Sequence, residues 1–270
     1  MTARIARPSA RAPGHLAMLW QHRELVRNLV LRNLKVKYQR SVLGFSWTLL
    51  NPLLTVAVLV VVFRTIVRIP IPQYWAFLLS GYFVWNFLQQ VLYAGTYTLA
   101  EHADLSRSVP LPSEVLIMSA TLSRLVEFAA ELALVVVALA LARHGGVPAS
   151  FALLPVLVML QFALALGLGL LIATLSAFYN DVQHALPIAL TTLFYLSPVF
   201  YSVSLIPERW RGLYLMNPVA ALLTLYHTVL YEGRIPPPPL LAGAAVAVAL
   251  TIAAGYAIFN RYKSLFAEIV

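Results

Sequence analysis

The chain has 270 residues, of which 61% are hydrophobic and only 11% are charged. Soluble domains carry roughly 25% charged residues, so this composition excludes an ordinary soluble protein. The apolar segments are continuous and do not alternate with polar residues, which indicates membrane-spanning α-helices. Lys and Arg number 19 against 10 Asp and Glu, and nine of the 19 lie in the first 40 residues. That asymmetry is typical of membrane topology and of contact with anionic lipid, and it argues against nucleic acid as a partner.

The first 42 residues are mostly polar and basic. Residues 1–15 are rich in Arg, Pro and Ala, and we expect a disordered arm there. Residues 16–42 have helical periodicity, so we predict an amphipathic helix that lies along the membrane surface, in contact with lipid head groups. The alternative is a soluble helix that packs on another domain. The basic residues of this helix are Arg23, Arg27, Arg32, Lys35, Lys37 and Arg40.

Residues 43–270 are predicted to form the transmembrane domain. The basic run stops at Leu43-Gly44, an apolar run begins within three residues, and Trp47 lies at the point of entry. Aromatic rings of this kind are favoured at membrane interfaces. We predict an all-α integral membrane protein whose six spans lie at residues 46–67, 75–100, 115–142, 151–178, 185–204 and 240–260.

The charges between these spans predict the orientation. With the N-terminus inside, twelve Lys and Arg residues fall on the cytoplasmic side and six fall outside. Because cytoplasmic segments carry the excess of Lys and Arg, we expect both termini to be cytoplasmic.

The second span has a face that is both polar and aromatic. Its members are spaced by three, four or seven residues and are Tyr82, Trp85, Asn86, Gln89, Tyr93, Thr96 and Tyr97. Polar groups within a membrane need a partner or water. Aromatic rings with hydrogen-bonding neighbours suit a sugar, so a substrate path is one interpretation; a helix–helix interface is the other.

The third span carries three ionisable residues on one face, at Arg124, Glu127 and Glu131. Each such residue costs roughly 3 kcal/mol in a membrane, so the three must face protein or water. The spacing allows Arg124 to pair with Glu127. A structural ion pair is the favoured interpretation, and a proton relay is the alternative.

Two connecting segments stand out. Residues 101–114 are short and charged and contain Pro110 and Pro112, which is consistent with a plain connector or with a short helix presented to a cytosolic partner. Residues 205–233 are moderately apolar, and their prolines predict two short re-entrant helices joined by a turn. The alternative for this second segment is a seventh span over 213–231.

The sequence contains few motifs that are typical of enzymes. The sequence contains no HExxH or GxSxG motif, and no Gly-Lys pair, so it has no P-loop. We therefore predict no catalytic, metal-binding or cofactor-binding residues in this chain. If the protein uses ATP, another polypeptide binds it.

Three stretches carry a resemblance to a known family. The first is 31–52, and its pattern residues are Arg32, Leu34, Lys37, Tyr38, Ser41, Leu43, Gly44, Trp47 and Pro52. The second is 178–201, where F-x-x-D precedes Ser-Pro-Val and a Tyr, and the third contains Ile206-Pro207, Asn217-Pro218 and a following helix with His227. In their order and spacing these stretches resemble the membrane subunit of ATP-binding-cassette exporters for lipid-linked polysaccharides of the O-antigen and teichoic-acid type.

The resemblance implies roles for particular residues. Residues 18–40 look like the family's interface helix, and 207–232 look like gate helices at the outer mouth, with Pro198, Pro207, Asn217 and Pro218 as gate residues. The loop 101–114 looks like the coupling helix that docks into the ATPase, through Leu105, Arg107, Pro110 and Pro112. The family's conduit is lined by the first and fifth spans, which adds four aromatic residues to Tyr82, Trp85, Gln89, Tyr93 and Tyr97 of the second span. These four are Phe194, Tyr195, Phe200 and Tyr201. One departure is Asn180, where the family commonly has Arg before the aspartate, here Asp181.

The expected protein is therefore a six-span half-permease that acts as a homodimer in the bacterial cytoplasmic (inner) membrane. The resemblance implies two copies of a cytosolic P-loop ATPase, which binds ATP and Mg, and a polyprenyl diphosphate-linked glycan as substrate. An exporter of drugs or simple lipids is one alternative. A membrane enzyme or an assembly scaffold is an alternative from a different class.

Overall fold

The computed structural model describes residues 22–101, 113–143 and 146–266, and every regular element within those ranges is helical. This confirms the predicted all-α class. The predicted arm (1–15), the first part of the predicted amphipathic helix (16–21) and most of the predicted coupling loop lie outside the described residues.

Nine α-helices follow one another along these ranges, and four of them adjoin a turn of different pitch. They are α1 (Arg23–Tyr38), α2 (Ser46–Val60, continued by a π-helix, Val61–Ile66), α3 (Tyr74–Glu101), α4 (Ser113–Ala142), α5 (Leu154–Phe178, preceded by a 3₁₀-helix, Ala149–Leu153), α6 (Asp181–Leu196), α7 (Glu208–Leu215), α8 (Pro218–Tyr226, continued by a π-helix, His227–Tyr231) and α9 (Pro238–Tyr262). Short 3₁₀-helices at Val203–Leu205 and Lys263–Leu265 complete the set.

Four of the helical segments are long and apolar enough to cross a membrane: Ser46–Ile66, Ser113–Ala142, Ala149–Phe178 and Pro238–Leu265. They coincide with the predicted first, third, fourth and sixth spans. A fifth crossing is counted if α7 and α8, which are bent by 105° at their junction, together form one broken span. That bend shows that 213–231 is not one straight helix, because Asn217-Pro218 ends α7 and begins α8.

The helices at the predicted second and fifth spans have a different character. Helix α3 has 28 residues, but amides and tyrosines on one face make it less apolar than the four segments above. Helix α6 has 16 residues, short of the roughly 20 that cross a bilayer. The predicted fifth span, 185–204, extends too far, because the helix ends at Leu196 and the residue before Pro198 leaves the α region.

The amphipathic helix is shorter than predicted. Helix α1 ends at Tyr38, and Arg40 has a left-handed backbone with φ of 64°, so the predicted extension to residue 42 is wrong. The apolar face of α1 packs through Leu29 on Val115 and Leu116, at the start of α4. Part of that face therefore contacts the bundle itself.

The core of the bundle lies around α3 and α5. Helix α3 packs between α4 and α5, and α9 packs along α5. The last pair approaches very closely at two glycines: a Cβ built on Gly255 would lie 2.1 Å from the carbonyl oxygen of Gly167. Small residues of this kind let membrane helices pack backbone against backbone.

Gly255→Ala is expected to force α9 away from α5 and to lower the free energy of unfolding by about 1–3 kcal/mol, the usual cost of overpacking. Chemical or thermal unfolding of the purified protein in detergent measures this. Gly243→Ala is the matched control on the same helix, because its Cβ would meet nothing within 4 Å. Equal effects of the two substitutions would contradict the close approach.

Candidate functional site

Two cavities follow one another along the polar and aromatic face of α3. The first has a volume of about 630 Å³ and lies between α1, α3 and α4. Tyr97, Tyr93 and Gln90 of α3 line it, together with Lys37 of α1 and Arg124 of α4. With Arg32 of α1, three cations border it as well as aromatic rings.

The second cavity has a volume of about 610 Å³ and lies between the end of α1, the start of α2 and the middle of α3. Aromatic and hydrogen-bonding side chains alternate on its wall. They include Trp47, Asn51, Thr55, Tyr82, Asn86, Gln89, Gln90 and Tyr93. Such a lining can stack on the C–H faces of a sugar and exchange hydrogen bonds with its hydroxyl groups.

The structure distributes the predicted conduit residues of α3 unequally. Tyr82, Gln89 and Tyr93 line the second cavity, and Tyr97 lines the first. Trp85 lines neither cavity, because its side chain is buried and its indole Nε1 donates to Gln89 Oε1 at 3.1 Å. Trp85 therefore orients Gln89 and does not offer a ring to a substrate.

Glu127 of α4 is the centre of a charged cluster beside both cavities. Its carboxylate is 2% exposed and accepts from Lys37 Nζ at 2.8 and 2.9 Å and from Tyr38 Oη at 2.6 Å. Arg124 Nη1 donates to the same carboxylate at 3.1 and 3.3 Å. The Tyr38 hydroxyl also bonds to Thr48 of α2. One buried carboxylate thus joins α1, α2 and α4.

The predicted Arg124–Glu127 pair is present, but its larger setting was missed. Lys37 and Tyr38 lie about ninety positions before Glu127, and no local spacing links them. Burial lowers the pKa of Lys37, and the charge of Arg124 lowers it further, against the opposing effect of Glu127. Burial and the bond to Glu127 both raise the pKa of Tyr38. Lys37 is therefore held in a less hydrated place than an ordinary surface lysine.

Glu131, one turn further along α4, is held separately. It is 1% exposed, and its Oε1 accepts from Asn86 Nδ2 of α3 at 3.1 Å. Asn86 also lines the second cavity, so its amide hydrogen-bonds to a buried carboxyl group and at the same time borders that cavity.

A second cluster lies at the opposite end of α3 and centres on His227. The ring is buried and stacks on Phe77 with centroids 4.0 Å apart. Its Nε2 donates to the carbonyl of Pro198 at 2.9 Å, and its Nδ1 pairs with the Ser80 hydroxyl at 2.9 Å. His227 therefore joins α3, the turn after α6 and the π-helical end of α8. Only its position in the third stretch of the family pattern singled it out.

The four aromatic residues predicted from the fifth span lie at this end and line neither cavity described above. Phe194 and Phe200 are partly buried against the core, and Tyr195 is 60% exposed. Tyr201 shares a hydrogen bond of 3.0 Å with Tyr214 of α7. Phe194 also contacts Trp85 of α3, with ring centroids 5.5 Å apart, and the conduit role of these four residues stays a prediction.

The predicted gate residues shape the bent segment. Pro207 precedes the first residue of α7, and Pro218 begins α8. The Asn217 side chain accepts from the Val219 backbone N–H at 3.0 Å, which caps α8. Pro198 is buried and accepts from His227. These four therefore set the turn and its attachment to the bundle.

The other predicted residues divide into two groups. Arg23, Arg27, Arg32, Lys35 and Arg40 are exposed at the basic end, and Arg32 lines the first cavity. The predicted coupling residues lie outside the described residues; they are Leu105, Arg107, Pro110 and Pro112.

Glu127→Ala is expected to lower the free energy of unfolding by about 3 kcal/mol, because it leaves two neighbouring cations without their buried counter-charge. Unfolding in detergent measures the loss. The matched control is Glu208→Ala, whose side chain is 90% exposed and lies 3.7 Å from Arg211. The control should change the free energy by too little to measure, since exposed pairs contribute little. If Glu127→Ala left the free energy of unfolding unchanged, this would contradict the structural role of the cluster.

Gly81 tests the His227 cluster. A Cβ at Gly81 would lie 2.7 Å from Cε1 of His227, so Gly81→Ala should destabilise the protein. His227→Ala should also destabilise it, since it removes two hydrogen bonds and a stacked ring. The two substitutions together should cost about 1 kcal/mol less than their sum, because the second removes the clash that the first creates. Strict additivity of the unfolding free energies would show that the contact is absent.

Comparisons with known proteins identify the family of this chain. A family model described as ABC-2 type transporter matches residues 24–231. The O-antigen export system permease protein RfbA of Myxococcus xanthus is 36% identical over 256 residues, which cover 93% of this chain and 97% of that protein. A protein of the same name from Klebsiella pneumoniae is 25% identical over 88% of this chain and 92% of its own length. The polysialic acid transport protein KpsM of Escherichia coli is 22% identical over 87% and 92%. Because the family model covers most of the chain and the first of these relatives covers nearly all of it, the chain belongs to the ABC-2 type transporter family.

Proposed function

We propose that the chain is the transmembrane subunit of an ABC exporter that moves a lipid-linked polysaccharide across the bacterial cytoplasmic membrane. The observation that carries this proposal is the pair of cavities along α3, which combine aromatic rings with amides and hydroxyls. A drug or a simple lipid would favour a more apolar lining. The relatives named for O-antigen and polysialic acid transport support a polymer of sugars as the cargo.

The proposed architecture has six spans and both termini in the cytoplasm. Helices α3 and α6 supply the second and fifth spans, in addition to the four apolar segments. Helix α1 is the interface helix, and α7 with α8 forms the outer gate. The excess of basic residues at the N-terminal end supports this orientation.

The working complex in this proposal contains two copies of the chain and two copies of a cytosolic P-loop ATPase. The sequence has no P-loop of its own, so ATP and Mg are bound by the partner. Symmetric pairing suits a polymer, because six helices alone make a poor conduit. Residues 101–114 are the proposed contact with the ATPase. The carrier's diphosphate is proposed to meet the basic end of the bundle, where Arg32 borders the first cavity.

The sugar-bearing substrate is expected to follow the α3 face. At the first cavity the Arg32 guanidinium offers contacts to phosphate, and at the second cavity the amides of Asn86 and Gln89 offer contacts to hydroxyl groups. The chain's own residues therefore bind and orient the cargo, while ATP binding in the partner supplies the motion.

Reconstitution tests the proposal directly. The chain and its co-purified ATPase are placed in vesicles with a labelled polyprenyl diphosphate oligosaccharide, and ATP-dependent appearance of the sugar on the opposite face is measured. We expect the glycan to be translocated and to stimulate ATP hydrolysis, whereas a phospholipid labelled on its head group does neither. Translocation of the phospholipid alone would indicate a simple-lipid exporter. Chemical conversion of the glycan by the chain without an ATPase would indicate a membrane enzyme.

A further inference from the structure

The two cavities along α3 meet at a wall made of side chains. Three residues line both cavities: Lys37 of α1, and Gln90 and Tyr93 of α3. Lys37 Nζ donates to Gln90 Oε1 at 3.2 Å, which joins α1 to α3 across the boundary. Because both groups in this bond belong to side chains, a change of side-chain conformation can break it without displacement of a helix.

Glu127 does not depend on Lys37 alone. If Lys37 swings away, Glu127 still accepts from Arg124 at 3.1 Å and from Tyr38 at 2.6 Å, so the buried carboxylate is not left bare. Arg124 lies on the same helix as Glu127, which keeps that pair together when α1 moves. The Lys37 side chain is 35% exposed, so it is only partly enclosed by the bundle.

The other members of the cluster are much less free. The Tyr38 ring is fixed between Glu127 and Thr48, and its edge contacts Phe45 with centroids 5.5 Å apart. Gln90 lies at the boundary on α3, which is the best-buried helix around the passage. Of the groups at the boundary, Lys37 therefore combines a long flexible side chain, partial exposure and a partner that keeps other donors.

We propose that the Lys37–Gln90 contact is a side-chain gate between the two cavities, and that cargo passes from the first to the second only when Lys37 swings aside. This inference rests on the proposed function. Because Glu127 retains Arg124, opening the gate leaves α4 and the core of the bundle intact. The gate is a local event, distinct from the outer gate formed by α7 and α8.

The natural chain has no cysteine, so a gate pair can be introduced without further changes. Lys37→Cys and Gln90→Cys are combined, and the reconstituted complex is treated either with a short bifunctional maleimide or with a monofunctional one. Each reagent modifies the same two thiols, but only the first joins α1 to α3. Export of the labelled polyprenyl diphosphate oligosaccharide should continue after the monofunctional reagent and be abolished after the bifunctional one.

Undiminished export by the cross-linked complex would overturn the gate while leaving the proposed function in place. A parental complex that moves no glycan at all would instead refute the proposed function. The comparison of the two reagents on one variant separates a blocked passage from a general effect of modification.

A second set of variants applies if the double cysteine variant does not fold. Gln90→Glu places a carboxylate opposite Lys37 and strengthens the contact, so export should slow. Adding Lys37→Gln should restore much of the rate, because the strengthened pair is then absent. Gln39→Glu is the matched control, since Gln39 is exposed two positions after Lys37 and lines neither cavity. Equal slowing by Gln39→Glu and Gln90→Glu, or no recovery in the double variant, would overturn the gate.

Discussion

The need to neutralise one buried carboxylate organises the basic end of this bundle. Glu127 is almost fully buried, and a charge in such a place is tolerated only with close partners. Arg124 on its own helix could supply one. The structure adds Lys37 and Tyr38 from the preceding helix, and Tyr38 in turn holds Thr48 of α2. The electrostatic requirement of a single side chain thereby fixes where the amphipathic helix ends and where the first apolar helix begins.

This arrangement determines what the face of α3 can do. Since the polar side chains of α3 are not all used to glue helices together, some of them remain on cavity walls. Asn86 shows both uses, because it donates to Glu131 of α4 and also faces the second cavity. The two interpretations of this face, a helix interface and a substrate path, are therefore not exclusive.

Much of the architecture could be predicted from the sequence, because continuous apolar runs and prolines act locally. The four long apolar helices, the bend at Asn217-Pro218 and the Arg124–Glu127 pair all follow from short-range pattern. The contacts of Lys37 and His227 could not be predicted in this way, since their partners lie far along the chain and depend on how helices pack. Trp85 shows the reverse error: helical spacing put it on the polar face, but tertiary packing buried it.

The two ends of the bundle are held by different kinds of force, and this difference bears on where motion occurs. Helices α5 and α9 meet backbone to backbone at Gly167 and Gly255, a contact that leaves no room for sliding. At the far end, the Arg143 guanidinium donates to the carbonyls of Leu230 and Tyr231 at 2.6 Å and fixes the end of α8. By contrast, the basic end depends on ion pairs between the buried Glu127 and two partly exposed cations. The bundle therefore combines a closely packed pair of helices in its core with an end whose contacts depend on charged side chains.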